Sequence, residues 1–208
     1  MTDAAHWDAV YQKKHATEVS WYQAHLQQSL SMIASCDLPG AASIVDVGGG
    51  ASTLVDDLLV RRYSNVTVID LSAKALGETW ARLGERATNA HLVCGDATTP
   101  LLDSASVDLW HDRAVFHFLT DDSRRAAYVE QVTRCVRPGG QALIATFALD
   151  GPERCSGLPV RRYSPQAIAE ALGPSFELIA EANEDHLTPG GNHQSFAYAL
   201  CRRRDAHP

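Results

Sequence analysis

The amino-acid sequence predicts an α/β protein, a three-layer α/β/α sandwich in which helices cover both faces of a mostly parallel β-sheet. Strand-like and helix-like stretches alternate from residue 40 to residue 147, a pattern typical of parallel strands joined by helical crossovers. The end of the chain differs, because its two strand-like runs are joined without a crossover helix. We interpret the 208 residues as one domain (1–208), with an N-terminal helical cap at 1–38 and the α/β core at 40–203.

Helices are predicted before the sheet begins. Trp7, Val10 and Tyr11 have helical spacing, and Ser20 is a candidate N-cap for a second helix. Pro39 then interrupts the pattern.

Five strands with intervening helices follow. Their apolar or β-branched runs lie at 43–47, 66–70, 91–94, 107–111 and 141–147. Ser72 caps one predicted helix, and Asp121 lies at the start of another that continues to Val136.

The last part of the core contains a helix and two further strands. Ser164 and Pro165 give the N-cap and first turn of that helix. The runs at 176–182 and 194–201 are separated by a turn-rich stretch, which predicts antiparallel pairing.

Charge and composition exclude several classes of protein. The chain has 18 Lys and Arg residues against 25 Asp and Glu, and this balance disfavours general nucleic-acid binding. No apolar run approaches the roughly 20 residues that span a bilayer, and residues 1–10 do not resemble a signal peptide. We therefore expect a cytoplasmic protein with no membrane partner.

Cysteine and histidine usage predicts neither a disulfide framework nor a metal site. The five cysteines are widely spaced without a CxxC pair, which is typical of a reducing compartment. The nine histidines form no HxxxH or HExxH pattern.

Candidate ligand-binding residues follow three of the predicted strands. The first strand ends at Asp46 and the glycine cluster Gly48, Gly49 and Gly50. Glycines allow a tight turn and close approach of the backbone to a ligand. The second strand ends at Asp70, where an acid can accept hydrogen bonds from a ribose diol.

The third strand ends at Gly95, Asp96 and Ala97, where an acid can accept from an adenine amino group. Together the three strand ends predict a nucleoside site. A nicotinamide cofactor is the alternative, but the third glycine of its fingerprint falls on Thr53.

These motifs resemble those of the class I S-adenosylmethionine-dependent methyltransferases. The resemblance covers residues 40–201 and rests on IVDVGGGAS at 44–52, Asp70, GDA at 95–97, RPGG at 137–140 and the two terminal strands. It implies a Rossmann-like fold with a seven-stranded sheet whose last strand is antiparallel. It also implies S-adenosylmethionine as cofactor, with S-adenosylhomocysteine as product.

The resemblance also implies where the cofactor would lie. It places the methionine part over Asp46 and the glycine cluster, the ribose on Asp70, and the adenine against Leu71, with its amino group near Asp96 and Ala97. Trp21 and Tyr22 would fold over the methionine end.

Residues around the acceptor are expected after the fourth strand, at 110–117. The resemblance places Asp112 near the amino group of the cofactor and directs Arg113 and His117 towards the acceptor. His117 is a candidate base or orienting group, or else a structural histidine satisfied by a neighbour. Arg113 can bind a carboxylate or phosphate, or else form an internal ion pair with Asp112 or Asp121.

A Gly- and Pro-rich loop at 151–159 is a plausible lid. Its Cys155 is a candidate nucleophile or soft ligand, although an ordinary loop thiol is the preferred interpretation. His186 and His193 are either acceptor contacts or polar loop residues.

We predict a methyltransferase acting on a small-molecule acceptor, with a protein lysine as the alternative. The Asn/Asp-Pro-Pro-Tyr signature associated with methylation of exocyclic or amide nitrogens is absent, and no nucleic-acid partner is expected. An NAD-dependent oxidoreductase and a non-catalytic nucleoside-binding module remain further alternatives.

Overall fold

The computed structural model describes residues 4–205, and residues 1–3 of the predicted cap and 206–208 lie outside the described part. The helices are α1 Ala4–Lys13, α2 Gln27–Ala34, α3 Leu54–Val60, α4 Ala73–Leu83, α5 Asp122–Cys135 and α6 Pro165–Leu172. The strands are β1 Ser43–Val47, β2 Asn65–Asp70, β3 Ala90–Cys94, β4 Val107–Arg113, β5 Val136–Phe147, β6 Arg154–Cys155, β7 Leu158–Pro159, β8 Phe176–Leu187 and β9 His193–Arg203.

Seven strands form one sheet in the order β3-β2-β1-β4-β5-β9-β8. Strands β1 to β5 pair in parallel, and β9 runs antiparallel between β5 and β8. The prediction of a Rossmann-like sandwich with an antiparallel last strand is therefore confirmed. The sheet order reverses beside β1, so the carboxyl ends of β1 and β4 border the crevice where such sheets bind ligands.

Two apolar clusters fill the space on the two faces of the sheet. One contains Leu30 of α2, Leu54 of α3 and Leu76 of α4, and the other contains Tyr128 of α5 and Ile168 of α6. This division follows from strand alternation, since successive residues of a strand point to opposite faces. Asp46 and its register partner His111 thus share one face of the sheet.

The predicted caps Ser72 and Ser164 are present, and Asp121, predicted at the start of a helix, is the N-cap of α5. The side chains of Ser72, Asp121 and Ser164 each accept hydrogen bonds from the first-turn backbone of α4, α5 and α6. Each cap satisfies a backbone N–H that has no partner within its helix.

The predicted helix boundaries were wrong at two places. Ser20 lies in a turn, and α2 begins only at Gln27. Helix α5 ends at Cys135, because Val136 pairs with Val107 and begins β5. Val132 and Val136 have helical spacing, but the second of them is buried in the sheet.

The last two strands are longer than predicted. Strand β8 continues to Leu187 and β9 continues to Arg203, and they pair over most of their length. The polar residues at 183–187 gave no strand pattern, and the long pairing with β9 is what makes them part of the sheet. Within residues 4–205, no helix is long and apolar enough to cross a membrane.

Candidate active site

A cleft with two connected lobes opens at the carboxyl ends of β1 to β4. Helix α1 and residues 19–23, which we call the strap, lie over it. Counting the open space at the mouth of the cleft, the first lobe holds about 830 Å³ of empty volume and the second about 480 Å³. Gly48 and Trp21 line both lobes.

The glycine cluster shapes the floor of this cleft. Gly48 has φ +68°, and a Cβ at this position would lie 2.0 Å from Cγ2 of Val115. A Cβ at Gly49 would lie 2.3 Å from Oδ2 of Asp46, and one at Gly50 would lie 2.6 Å from Oδ2 of Asp70. Only glycine therefore lets the backbone approach both carboxylates this closely.

Asp70 lines the first lobe from the end of β2. Its Oδ1 accepts a hydrogen bond from the backbone N–H of Ser72 at 2.7 Å. Burial raises the pKa of Asp70 to about 6, and Asp46 adds to this effect. The carboxyl is still largely ionised at neutral pH and can accept hydrogen bonds from ligand hydroxyls.

Asp46 lines the second lobe and has one oxygen without a partner among the described residues. Its Oδ1 lies 2.7 Å from Nδ1 of His111, whereas Oδ2 is buried and makes no hydrogen bond. A buried carboxylate oxygen in this state retains an unused capacity to accept from a ligand.

Leu71, Asp96 and Ala97 line the first lobe beside Asp70. Asp96 accepts from the backbone N–H of Thr98 at 2.9 Å and forms an ion pair with Arg124 at 2.6 Å. The Asp96 side chain remains 34% exposed. Its oxygens can therefore still accept from a ligand in the cleft.

Aromatic side chains form a roof over both lobes. The Trp7 ring of α1 packs against Trp21 and Phe118, with centroid separations of 5.8 and 5.1 Å. Tyr11 packs against Trp21 at 6.4 Å. Asp8 fixes α1 in this position, because its Oδ1 accepts a hydrogen bond from the Ser72 hydroxyl at 2.5 Å.

Comparison with known proteins finds methyltransferases among the sequence relatives and the same fold among solved structures. Residues 44–140 match the family model described as a methyltransferase domain. The chain is 22% identical over 209 aligned positions to EEF1A lysine methyltransferase 2 of Mus musculus, covering 94% of this chain and 80% of that protein. The Homo sapiens protein of the same name is also 22% identical, with 83% of its length covered.

Two solved structures have the same fold. The first comes from work on the conversion of a disulfide bond into a thioacetal group during echinomycin biosynthesis. It aligns with a TM-score of 0.79 at 17% identity, covering 97% of this chain and 93% of that one. The other is Burkholderia thailandensis 1,6-didemethyltoxoflavin-N1-methyltransferase with bound 1,6-didemethyltoxoflavin and S-adenosylhomocysteine, with a TM-score of 0.70 at 20% identity and coverages of 97% and 84%.

The chain has a methyltransferase domain over residues 44–140 and the fold of S-adenosylmethionine-dependent methyltransferases. Its cofactor is S-adenosylmethionine, so the NAD-dependent alternative does not apply. The cleft of this methyltransferase fits that cofactor, because ionisable acceptors at Asp70 and Asp46 flank a glycine cradle that any Cβ would obstruct.

Arg113 of the methyltransferase lines the cleft, but its buried guanidinium is held by contacts within the protein. Its guanidinium forms an internal ion pair, as one of the two alternatives had it, but with Glu184 at 3.3 Å and not with Asp112 or Asp121. It also donates to the Tyr198 hydroxyl at 3.0 Å and to the carbonyl of Trp21 at 3.2 Å. These contacts leave it little capacity to bind a carboxylate or phosphate of an acceptor.

Asp112 does not line the cleft of the methyltransferase. Its carboxylate is fully buried and accepts from the backbone N–H groups of Val115 and Phe116 and from the Tyr128 hydroxyl. The expected contact between this side chain and the cofactor is therefore corrected. Asp112 fixes the backbone that follows β4, including Val115 beneath Gly48.

His117 is also placed away from the cleft. The ring is fully buried between Phe118 and Phe147, and its Nδ1 accepts from the backbone N–H of Phe147 at 3.3 Å. Burial lowers the pKa of His117 to about 3, and Arg113 lowers it further. A ring this weakly basic and this far from solvent does not fit the predicted base. Phe147 satisfies its Nδ1, whereas the buried Nε2 has no partner among the described residues.

Cys155 lies in the small hairpin β6–β7 and lines the first lobe. Burial raises the pKa of its thiol to about 12, so the thiol is protonated and unreactive at neutral pH. His186 lies at the edge of the strap, where its Nε2 lies 2.7 Å from the carbonyl of Ser20. His193 is an exposed partner of Asp185.

Among residues 4–205, no three His, Cys, Asp or Glu side chains are grouped so that they could hold a metal ion.

The sequence analysis missed several residues of the site. Trp7 and Tyr11 were assigned only to a helix, although aromatic residues at i and i+4 place two rings on one face. Glu184 lay beyond the predicted end of its strand, so nothing indicated that it would reach Arg113.

Proposed function

We propose that the first lobe holds the adenosine part of S-adenosylmethionine. Asp70 would accept from the ribose hydroxyls, Leu71 and Ala97 would flank the adenine, and Asp96 would accept from its amino group. The lining of the lobe by these four residues supports this assignment. The second lobe would hold the amino-acid end beside Asp46 and Gly48.

When bound, S-adenosylmethionine supplies an electrophilic methyl group on a sulfonium centre. The protein residues have to align the acceptor with this group and keep water away from it. Trp21 lines both lobes, and Phe118 and Cys155 line the first, so these side chains would form the wall around the reacting atoms.

We infer that the methyl acceptor is a small molecule with an apolar or aromatic body. The observation that carries this proposal is the roof formed by Trp7, Tyr11 and Trp21, which lies over the cleft and narrows the approach for a folded protein. An acceptor enclosed beneath the roof would contact mainly apolar surface.

The residues that line the first lobe also favour an acceptor whose nucleophilic atom attacks without help from a protein base. Among residues 4–205, no histidine lines the first lobe, and we assign its carboxylates Asp70 and Asp96 to the adenosine part of the cofactor. Burial raises the pKa of both Tyr11 and Cys155, so neither takes a proton at neutral pH. Such nucleophiles include a small thiol that ionises in solution, a thioether or an unprotonated ring nitrogen.

The experiment is transfer of a tritiated methyl group from S-adenosylmethionine to a panel of small thiols and nitrogen heteroaromatics. We expect turnover with at least one class and a marked loss of turnover in Trp7→Ala. Val60→Ala is the control, since Val60 is an exposed apolar residue outside the cleft. Turnover that is unchanged in Trp7→Ala would contradict enclosure of the acceptor beneath the roof.

A protein lysine is the second candidate acceptor. The relatives in Mus musculus and Homo sapiens carry the name EEF1A lysine methyltransferase 2, which supports this alternative. The same tritium assay with EEF1A as the acceptor discriminates the two. Labelling of a lysine there, without labelling of the small-molecule panel, would replace the small-molecule proposal.

A further inference from the structure

A buried chain of three polar side chains links α2 to the floor of the second lobe. The Ser29 hydroxyl lies 2.9 Å from Nε2 of His111, and Nδ1 of the same ring lies 2.7 Å from Oδ1 of Asp46. The exposed fractions are 0% for Ser29, 1% for His111 and 3% for Asp46. Buried polar groups of this kind have to satisfy one another, because water does not reach them.

A carboxylate oxygen can only accept, so Nδ1 of His111 is the donor to Oδ1 of Asp46. Nε2 of the same ring pairs with the hydroxyl of Ser29. The ring therefore fixes the carboxylate of Asp46 through one oxygen only.

The second oxygen of Asp46 is left for a ligand. Oδ2 is buried and has no partner among the described residues, although Asp46 lines the second lobe. The backbone of Gly49 packs beside this oxygen, and a Cβ there would lie 2.3 Å from it. A buried carboxylate oxygen would bind a cationic donor strongly.

We propose that Ser29 and His111 are positioning residues for cofactor recognition. They hold Oδ2 of Asp46 as the acceptor for the α-ammonium group of S-adenosylmethionine. Ser29 does not line either lobe, so any effect of Ser29 on the cofactor has to pass through His111.

The test compares two ligands in calorimetric titrations. S-adenosylhomocysteine contains the amino-acid end, whereas 5′-deoxy-5′-methylthioadenosine has the same adenosine part without it. In His111→Leu we expect the affinity for S-adenosylhomocysteine to fall roughly tenfold or more, the scale for a lost hydrogen bond to a charged group. The affinity for methylthioadenosine should stay within about twofold.

Two further variants separate positioning from general disruption of the fold. His111→Asn keeps a donor near Oδ1 of Asp46 and should retain most of the affinity for S-adenosylhomocysteine. Ser29→Ala removes only the far hydrogen bond, so we expect a smaller selective loss, and it tests the proposal even where His111→Leu does not fold.

The ratio of the two affinities decides the outcome. A selective loss for S-adenosylhomocysteine in Ser29→Ala and His111→Leu supports the proposal. Parallel losses for both ligands would mean that the hydrogen bonds between Ser29, His111 and Asp46 only support the glycine cluster. Unchanged affinities would mean that Oδ2 of Asp46 does not bind the ammonium group. Either of these results overturns it.

Discussion

Arg113 and Glu184 form an ion pair that joins the end of β4 to the edge strand β8, although 71 residues separate them in sequence. The guanidinium also lies 4.1 Å above the ring of Phe196. The Tyr198 hydroxyl donates to Glu184 at 2.6 Å, and the Trp21 carbonyl accepts from Arg113. Through Arg113, the strap over the cleft is therefore linked to the edge strand β8.

Glu184→Ala should destabilise the protein strongly, because it leaves the buried Arg113 guanidinium without its anion. Removing one partner of a buried pair costs about 3–5 kcal/mol. We expect the lower end of this range, since 14% of the Glu184 side chain is exposed. The free energy of unfolding in urea measures the loss.

The control for Glu184→Ala is Glu177→Ala on the same strand. Glu177 pairs with Arg204 at 3.7 Å, and both side chains are 56% exposed, so its loss should cost less than about 1 kcal/mol. The double variant Arg113→Met with Glu184→Ala should recover part of the stability. Equal losses of unfolding free energy for the two single glutamate variants would show that the buried Arg113–Glu184 pair stabilises the protein no more than an exposed pair does.

Gly48→Ala should abolish cofactor binding and lower stability. The new Cβ would meet Cγ2 of Val115 at 2.0 Å, and the residue would keep a positive φ that costs about 1–2 kcal/mol outside glycine. Titration with S-adenosylhomocysteine and urea unfolding give the two readouts.

Gly77→Ala is the matched glycine control. Gly77 lies inside α4 with no atom within 4 Å of an added Cβ, and alanine there should stabilise the helix by about 0.5–1 kcal/mol. Val115→Ala in the Gly48→Ala background should relieve the clash and leave the backbone strain. If Gly48→Ala binds as well as the native protein, the cradle assignment is wrong.

The parts of the fold that the sequence predicted are those that local chemistry determines. Ser72 and Ser164 cap the expected helices, since a short side chain next to an apolar stripe acts on its own backbone. Asp46, Gly48 and Asp70 lie together at the cleft because parallel strands bring their carboxyl ends to one edge.

The predictions that did not hold depended on contacts between distant segments. His117 and Asp112 follow β4, where acceptor and cofactor contacts were expected, but Phe147 and Tyr128 from other elements enclose them. Nothing within residues 110–117 indicates which side chains would be covered. Arg113 likewise found its anion on β8, whose polar end gave no strand pattern.

Asp70→Ala should weaken cofactor binding by about 1–3 kcal/mol, the scale for lost hydrogen bonds to a charged group. The physical reason is loss of the acceptor that we assign to the ribose hydroxyls at the end of β2. Calorimetric titration with S-adenosylhomocysteine measures the effect. Glu170→Ala removes an exposed carboxylate from α6 and should leave the affinity unchanged. An unaltered dissociation constant in folded Asp70→Ala would refute the ribose assignment.

His117 should make the protein less stable as the pH falls. Burial and Arg113 lower its pKa from 6.5 to about 3, so between these values the unfolded chain binds more protons than the folded one. The stabilisation is fully present above pH 6.5. It is lost towards pH 3 by up to about 1.4 kcal/mol per pH unit.

Asp70 and Asp112 act with the opposite sign and have to be separated from His117. Burial raises both pKa values from 3.8 to about 6, so between these values the folded chain binds the extra protons and stability falls as the pH rises. The difference between native protein and His117→Asn removes these common contributions. The asparagine oxygen can replace Nδ1 as acceptor for Phe147, so the variant should fold at pH 8. Urea unfolding from pH 4 to pH 8 should show a shallower loss for His117→Asn on acidification, whereas parallel curves would mean that His117 is not the titrating group.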